Sequence, residues 1–473
     1  MRIALVIPKV TNMAIVPNLG LGYLAASLLE NGFGVEIFHC GRDNLSPREL
    51  ARKIRDGRFN ITGIQSLSFF HDRAAEVSKR IKSTAPGSMI VVGGPHASGV
   101  RDGLLTGDGA FDYGFAGEAE IGFTEFVRQA AGGGPSAEDI PGLIWRDGGS
   151  VFCNDIKVVR NLDALPMPPW NMMDPNTYPQ QAHGMFPPDF PVAPMIFSRG
   201  CNYNCAFCAS RAISGAGIRY RSVENTMREI EYIYNELRIS AIAFLDQNPA
   251  ASRKNILQLC AAIAGSDMKI KWYCPNGVRL DSLDGDVLEI MRAAGCVSLT
   301  VGIESASEES LKAVNREPVS DEIRHKLALI RKHRIKVTGN FIIGLPNETL
   351  RDFKNIILKA VRLPLNRVQY AFFVPFPGTA LFKAYFPDPE HADIDWSTFD
   401  VTMPSHVRTV PKALAWFVMM TAFALFYIRP GIMLDNIRDI KSAGHLRFIL
   451  SRILKIASDP VKWMIRRKKP ISP

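Results

Sequence analysis

Short apolar runs alternate with amphipathic stretches along the first part of the chain. Residues 3–7, 35–38, 61–65, 89–92 and 113–116 read as strands, and helical patterns fall between and after them at 22–30, 47–55, 72–82 and 121–129. Strict alternation with short connections predicts a doubly wound α/β sheet of parallel strands. Such sheets bind ligands outside the carboxyl ends of their strands, where the loops 8–20, 66–71 and 93–98 would converge. No GxGxxG occurs there, which argues against a dinucleotide site.

The alternation resumes at residue 192. Strand-like runs at 192–197, 242–245, 270–273, 297–303, 336–343 and 368–373 are interleaved with helical patterns at 224–237, 253–263, 283–294, 321–333 and 352–361. This predicts a partial (β/α)6 barrel with its site at the C-terminal strand ends. Between the two units, residues 141–152 read as a hairpin around Asp147-Gly148-Gly149. Prolines at 166, 168, 169, 175 and 179 then bar regular structure and predict an extended connector. Beyond the barrel, the nearly all-apolar run 413–428 falls short of the ~20 residues of a membrane span, so a helix buried against the barrel is expected. Residues 448–469 mix apolar with basic positions, a composition suited to peripheral contact with a membrane surface. The expected organisation is thus a Rossmann-like domain over 1–140, a hairpin and Pro-rich linker over 141–191, the barrel over 192–383 and a small helical region over 384–473.

Composition changes this picture little. With 47% hydrophobic and 22% charged residues the chain can bury ordinary cores. A net charge of +10 raises the question of nucleic acid, but Lys and Arg are spread out and their one dense cluster, 466–469, lies at the C-terminal end, so no nucleic-acid partner is expected. Eight sparse cysteines and an opening run, MRIALVIP, too short for a secretory signal point to the cytoplasm.

The chemistry lies in FSRGCNYNCAFCA, residues 197–209, where Cys201, Cys205 and Cys208 crowd one loop after a strand. Thiolates select zinc or iron–sulfur clusters. A structural zinc site would want a fourth close Cys or His, and His183 is separated from the loop by a Pro-rich segment. Three ligands on a four-iron cube leave one iron open. The other cysteines, Cys40, Cys153, Cys260, Cys274 and Cys296, read as small hydrophobes.

The CxxxCxxC spacing with Phe207 before the last cysteine resembles the signature of the radical S-adenosylmethionine (SAM) enzymes. PNLGLGYLAASLLENG, GGPHAS and GEAE, in that order, resemble the cobalamin-binding domain that precedes many radical SAM domains. LDALPMPPW, MRAAGCVSLTVGIESAS and NFIIGLPNET resemble the cobalamin-dependent (class B) group of that family. The DxHxxG motif of classical cobalamin enzymes is absent, so the resemblance implies cobalamin without a histidine axial ligand.

What the resemblance implies is specific. Cys201, Cys205 and Cys208 would hold a [4Fe-4S] cluster whose open iron takes SAM. Phe207, Asp246 of FLDQN, Asn276 and Arg279 of CPNGVRLD, and Glu304 of GIES would surround SAM, Glu304 by accepting charge-assisted hydrogen bonds. At Asp246-Gln247 the family typically has paired acidic or polar residues, and Asn276 and Arg279 read equally well as barrel packing. Gly93, Gly94, His96 and Glu118 would face cobalamin, His96 either in contact or as a neighbouring polar loop residue. The implied activity is methylation of an unactivated carbon of a small or lipid-like metabolite, through a 5′-deoxyadenosyl radical and methylcobalamin, with an external electron donor of flavodoxin or ferredoxin type. Oxidative cyclisation or rearrangement without methyl transfer is the alternative within the group, and a non-catalytic cobalamin sensor the alternative outside it.

Overall fold

The computed structural model describes the chain except residues 11–12, 107–108, 182–188, 318–320, 389–393, 441–445, 448–449 and 451–473. The first sheet contains β1 (Arg2–Ile7), β2 (Gly34–His39), β3 (Ile61–Gln65), β4 (Met89–Gly93), β5 (Tyr113–Phe115), β6 (Leu143–Asp147) and β7 (Ser150–Cys153). Its order is β2-β1-β3-β4-β5-β6-β7, with β1 to β5 parallel and the last two antiparallel. Both faces of the parallel strands are covered. Ile3, Leu5 and Ile7 of β1 enter one apolar cluster with Leu21 and Phe123, while Ala4 and Val6 enter another with Ile54 and Val77. Burial on both faces explains why β1 and β4 are continuous apolar runs rather than alternating ones. The hairpin expected in the connector forms, but β6 pairs with β5, so the first sheet continues past residue 140. Pairing satisfies backbone groups that β5 would otherwise leave exposed as an edge.

The second sheet contains six parallel strands: β8 (Val192–Met195), β11 (Ala241–Phe244), β12 (Lys271–Val278), β13 (Cys296–Glu304), β14 (Lys336–Ile343) and β15 (Arg367–Phe372), in the order β8-β11-β12-β13-β14-β15. β9 (Ser198–Cys201) and β10 (Gly217–Tyr220) form a separate antiparallel pair after β8. The amino ends of the barrel strands are occupied by polar contacts: Asp189 pairs with Lys271 at 2.9 Å and accepts from Tyr273 at 3.1 Å, and Asp439 pairs with Lys336 and Arg367, each at 2.6 Å.

The apolar run near the C-terminus forms helix Lys412–Tyr427, which lies along the edge strand β15, the Tyr427 hydroxyl accepting from Val368 N and donating to its carbonyl. The expected burial against the barrel holds for one face of this helix. Ala415, Trp416, Met419, Ala422 and Phe426 are buried, but Phe417 and Ile428 on the other side are 67% and 69% exposed. Among the described residues no single helix is long and apolar enough to cross a membrane. This helix and Pro430–Arg438 reach that length only together, bent by 77°. Residues 448–469, the basic stretch, lie outside the described residues apart from Leu450.

Candidate active site

The cysteine loop hangs from β9. Cys201 pairs opposite Gly217 of β10, and Gly200 has φ +93° with its missing Cβ only 2.1 Å from Gly217 O, so no other residue fits. The loop then docks on the barrel: Ala206 N donates to Val314 O at 3.0 Å, and Phe207 packs with Val314, Leu345 and Phe373. Cys208 N closes a turn on Cys205 O at 3.0 Å. Phe207 therefore anchors the loop against the barrel.

All three thiols are free. Among the described residues no three His, Cys, Asp or Glu side chains close on one point as a single metal ion would require. A cube spreads its thiolates over different irons, so three free thiols on one short loop fit a cluster by the chemistry of the donor set. Burial pushes the Cys205 thiol up, with Cys208 and Glu304 in the same direction and Arg316 and Arg279 opposing. His183 lies outside the described residues.

Several strand-end residues gather beside the loop. Glu304 ends β13 at φ +59° and pairs with Arg316 at 3.1 Å; burial raises its pKa against the pull of Arg316 and Arg279. The Arg279 guanidinium lies 4.0 Å from the Tyr203 ring centre, within the loop, and pairs with Asp281 at 3.2 Å. Asn276 is turned to the backbone of a neighbouring strand end, donating to Leu245 O at 2.7 Å.

Asp246 has a different place from the one expected. Its carboxylate is buried and accepts from Phe197 N at 3.1 Å, from Ser198 N and from Ser198 Oγ at 2.6 Å. Gln247 Oε1 accepts from Gly200 N at 3.1 Å. These two side chains peg the corner where β8 gives way to β9, because backbone N–H groups that leave a ladder need new acceptors. Asp246 thus positions the strand that leads into the cysteine loop.

A cavity of about 340 Å³ opens between the two sheets. The first domain contributes Asn18 and Gly20 after β1, Gln65 at the end of β3, Gly93 to Pro95 at the end of β4 and Gly117 to Glu120 after β5; the barrel contributes Ser198, Arg199, Ser214, Leu245 and Gln247. Strand carboxyl ends of the first sheet therefore face the corner that carries the cysteines. Gly93 leaves room: a Cβ there would find nothing closer than Phe115 O at 3.9 Å, so a larger side chain would grow into the cavity. Gly94, by contrast, is required by the backbone, with φ +102° and Ser66 O 2.9 Å from its missing Cβ.

Of two residues expected to face cobalamin, His96 is corrected and Glu118 keeps a place at the cavity wall. Glu118 touches the cavity, but its carboxylate takes Arg219 at 2.6 Å and Val159 N at 2.9 Å, with Arg199 at 3.7 Å; it joins the domains. His96 is buried away from the cavity, bonded to Ser68 Oγ at 3.1 Å, against His71 at 4.1 Å and under Trp396 at 4.6 Å between ring centres. GGPHAS is not an open loop after all: Pro95–Val100 is a short helix, which turns the histidine inward. No histidine among the described residues lines the cavity.

Residues outside the sequence reading complete the site. Arg199 pairs with Glu120 at 2.7 Å; its position two residues before Cys201 is the one signal that marked it. Arg316 lies in a loop without a recognisable pattern. Glu348, within NFIIGLPNET, accepts from Gly344 N at 2.8 Å and Leu345 N at 3.2 Å and from the Ser305 hydroxyl, tying the β13 and β14 ends together; burial lifts its pKa to about 7.

Comparison with known proteins agrees with this layout. Residues 195–360 match the model of the Radical SAM superfamily, and residues 10–127 that of the B12 binding domain. An uncharacterized methyltransferase of Pyrococcus horikoshii is 26% identical over 464 residues, covering 96% of this chain and 97% of that one. The anaerobic magnesium-protoporphyrin IX monomethyl ester cyclase of Cereibacter sphaeroides is 24% identical, covering 84% of this chain and 64% of its own length. In fold, the chain matches the radical SAM methyltransferase TsrM of Kitasatospora setae, solved with cobalamin and a [4Fe-4S] cluster, with a TM-score of 0.71 at 17% identity over 91% of both chains. The chain belongs to the cobalamin-dependent radical SAM enzymes, with a B12-binding domain ahead of its radical SAM domain.

Proposed function

We propose that the protein is a cobalamin-dependent radical SAM methyltransferase that methylates an unactivated carbon of a small or lipid-like metabolite. The observation that supports this most is the single cavity shared by the carboxyl ends of the first sheet and the β8–β9 corner bearing the cysteine loop. In this reading Cys201, Cys205 and Cys208 hold the cluster, and the glycine-lined end of the cavity at Gly20, Gly93 and Gly94 receives the corrin. When bound, the cluster supplies the electron that cleaves SAM to a 5′-deoxyadenosyl radical, and the corrin carries the methyl group.

The chain's own residues supply position and charge. Arg316 holds the Glu304 carboxylate beside Cys205, where it can accept hydrogen bonds from the ammonium or ribose of SAM. Arg279, stacked on Tyr203, puts a fixed cation beside the loop. Asp246 and Gln247 hold the β9 backbone, and Glu348 holds Ser305 next to Glu304. The electron is taken to come from a flavodoxin or ferredoxin type of donor in the reducing cytoplasm.

Radical oxidation or ring closure without methyl transfer is a second reading, supported by the likeness to the Cereibacter cyclase. Anaerobic incubation of the reconstituted protein with SAM, methylcobalamin, a reductant and candidate substrates separates the two. 5′-Deoxyadenosine together with S-adenosylhomocysteine and a methylated product is expected. Deoxyadenosine with a product lacking the added methyl would favour the cyclase-like reading, and no deoxyadenosine at all would sink both.

A further inference from the structure

The exposed side of the C-terminal helix pair is apolar where a surface helix is ordinarily polar. On Lys412–Tyr427 and the residue after it, Ala413, Phe417, Ala424, Leu425 and Ile428 share the face turned away from the barrel. Past the 77° bend, Met433, Leu434 and Ile437 of Pro430–Arg438 continue it. Six of these side chains, Phe417, Leu425, Ile428, Met433, Leu434 and Ile437, are each 47% exposed or more. Scattered single apolar residues on a surface need no explanation, but a contiguous set of this kind marks an interaction site.

We propose that this face docks on an anionic lipid bilayer. Two observations choose that partner. Charge is the first: residues 441–473 carry nine Lys or Arg and a single Asp, so the stretch that follows the helix pair in sequence holds most of the chain's net charge of +10. Basic residues next to an apolar helical face are the pairing that binds acidic headgroups and inserts shallowly between acyl chains. Geometry is the second. The opposite face of the first helix, with Trp416, Met419 and Phe426, is buried against the protein, and Lys336 fixes the second helix through Asp435 and Asp439 at 3.1 and 2.6 Å. A pair held this way lies along a membrane surface and does not span it. The inference extends the lipid-like substrate of the proposed function, yet its test reads binding alone and so fails or holds independently of methyl transfer.

The test is sedimentation of the whole chain with vesicles of phosphatidylcholine, with and without phosphatidylglycerol, at low and high salt. Binding to the phosphatidylglycerol vesicles is expected, weakened by salt, as screening requires. Ile428→Glu combined with Leu434→Glu should weaken it by roughly tenfold or more, with the melting temperature unchanged because both side chains are exposed. Absence of vesicle binding overturns the proposal. So does binding that survives the double substitution, which would place the contact on the basic stretch alone. A dimer in solution that the same substitutions dissociate would assign the face to a second copy of the chain, and a gain in binding on removing residues 451–473 would assign it to that segment; either outcome overturns the proposal.

Discussion

Arg199 of β9 and Glu120, at the start of helix Glu120–Ala130, form an ion pair of 2.7 Å across the two domains, with side chains only 11% and 6% exposed. The strand that delivers Cys201 is thus tied to the loop end that lines the cavity from the other side. A second pair, Arg219 with Glu118 at 2.6 Å, ties β10 to the same turn. The two ion pairs thus join the cysteine-bearing corner to the cavity wall of the first domain.

Removing one partner of the first pair leaves a buried charge without compensation. Arg199→Met should destabilise the protein by about 3 kcal/mol, read from urea unfolding. Arg199→Met with Glu120→Met should recover part of that loss, since Glu118 keeps Arg219.

The cysteines should behave in the opposite way. Cys201, Cys205 and Cys208 are partly or fully exposed, so replacing any one with Ala should change stability by less than about 0.5 kcal/mol. Each variant should nonetheless lose deoxyadenosine formation and fall to background iron content after anaerobic reconstitution. Full iron loading in all three variants would refute the assignment of the loop.

Filling the cavity separates ligand space from fold. Gly93→Leu should weaken cobalamin binding by about tenfold or more, the effect of ~1.4 kcal/mol of steric conflict, while melting stays near that of the parent. Gly94→Leu should instead lower the melting temperature, because the backbone there is left-handed and Ser66 O crowds the new Cβ. Corrin retained after gel filtration, measured by its visible absorbance, checks both.

Glu348 gives the protein a pH signature. Its folded pKa, near 7, is raised from the ordinary 4.5 by burial. The folded state therefore binds the extra proton between those values, so this contribution to stability is complete below pH 4.5 and is lost as pH rises through 7. Glu348→Gln keeps an acceptor for Gly344 N and Leu345 N without titrating, its amide N–H donating to Ser305 Oγ in place of the bond the carboxylate accepts from that hydroxyl. The variant should gain on the parent by about 3 kcal/mol between pH 4.5 and 8, and a constant difference across that range would show that the carboxyl does not titrate there.

Most of the architecture was legible in the chain. Strands Arg2–Ile7 and Met89–Gly93 end within a residue of the apolar runs 3–7 and 89–92, because a strand buried on both faces is apolar along most of its length. The cysteine trio was legible for a similar reason, since its ligands come from one short loop. Side chains whose partners are distant in sequence were not. Nothing around Asp246 in the chain announces that Phe197 and Ser198, 49 and 48 positions away, bond to its carboxylate.

Alone, the order of residues determined the two parallel sheets, their sequence of elements and the thiol-rich loop, all consequences of local periodicity and spacing. Tertiary structure decided what Glu118, Asp246 and His96 touch and which face of Lys412–Tyr427 remains open. Arg199 meets Glu120 over 79 positions and Arg219 meets Glu118 over 101, and no local pattern encodes such pairings. An all-apolar helix is likewise silent about how many of its faces find a partner, because burial depends on what packs against it.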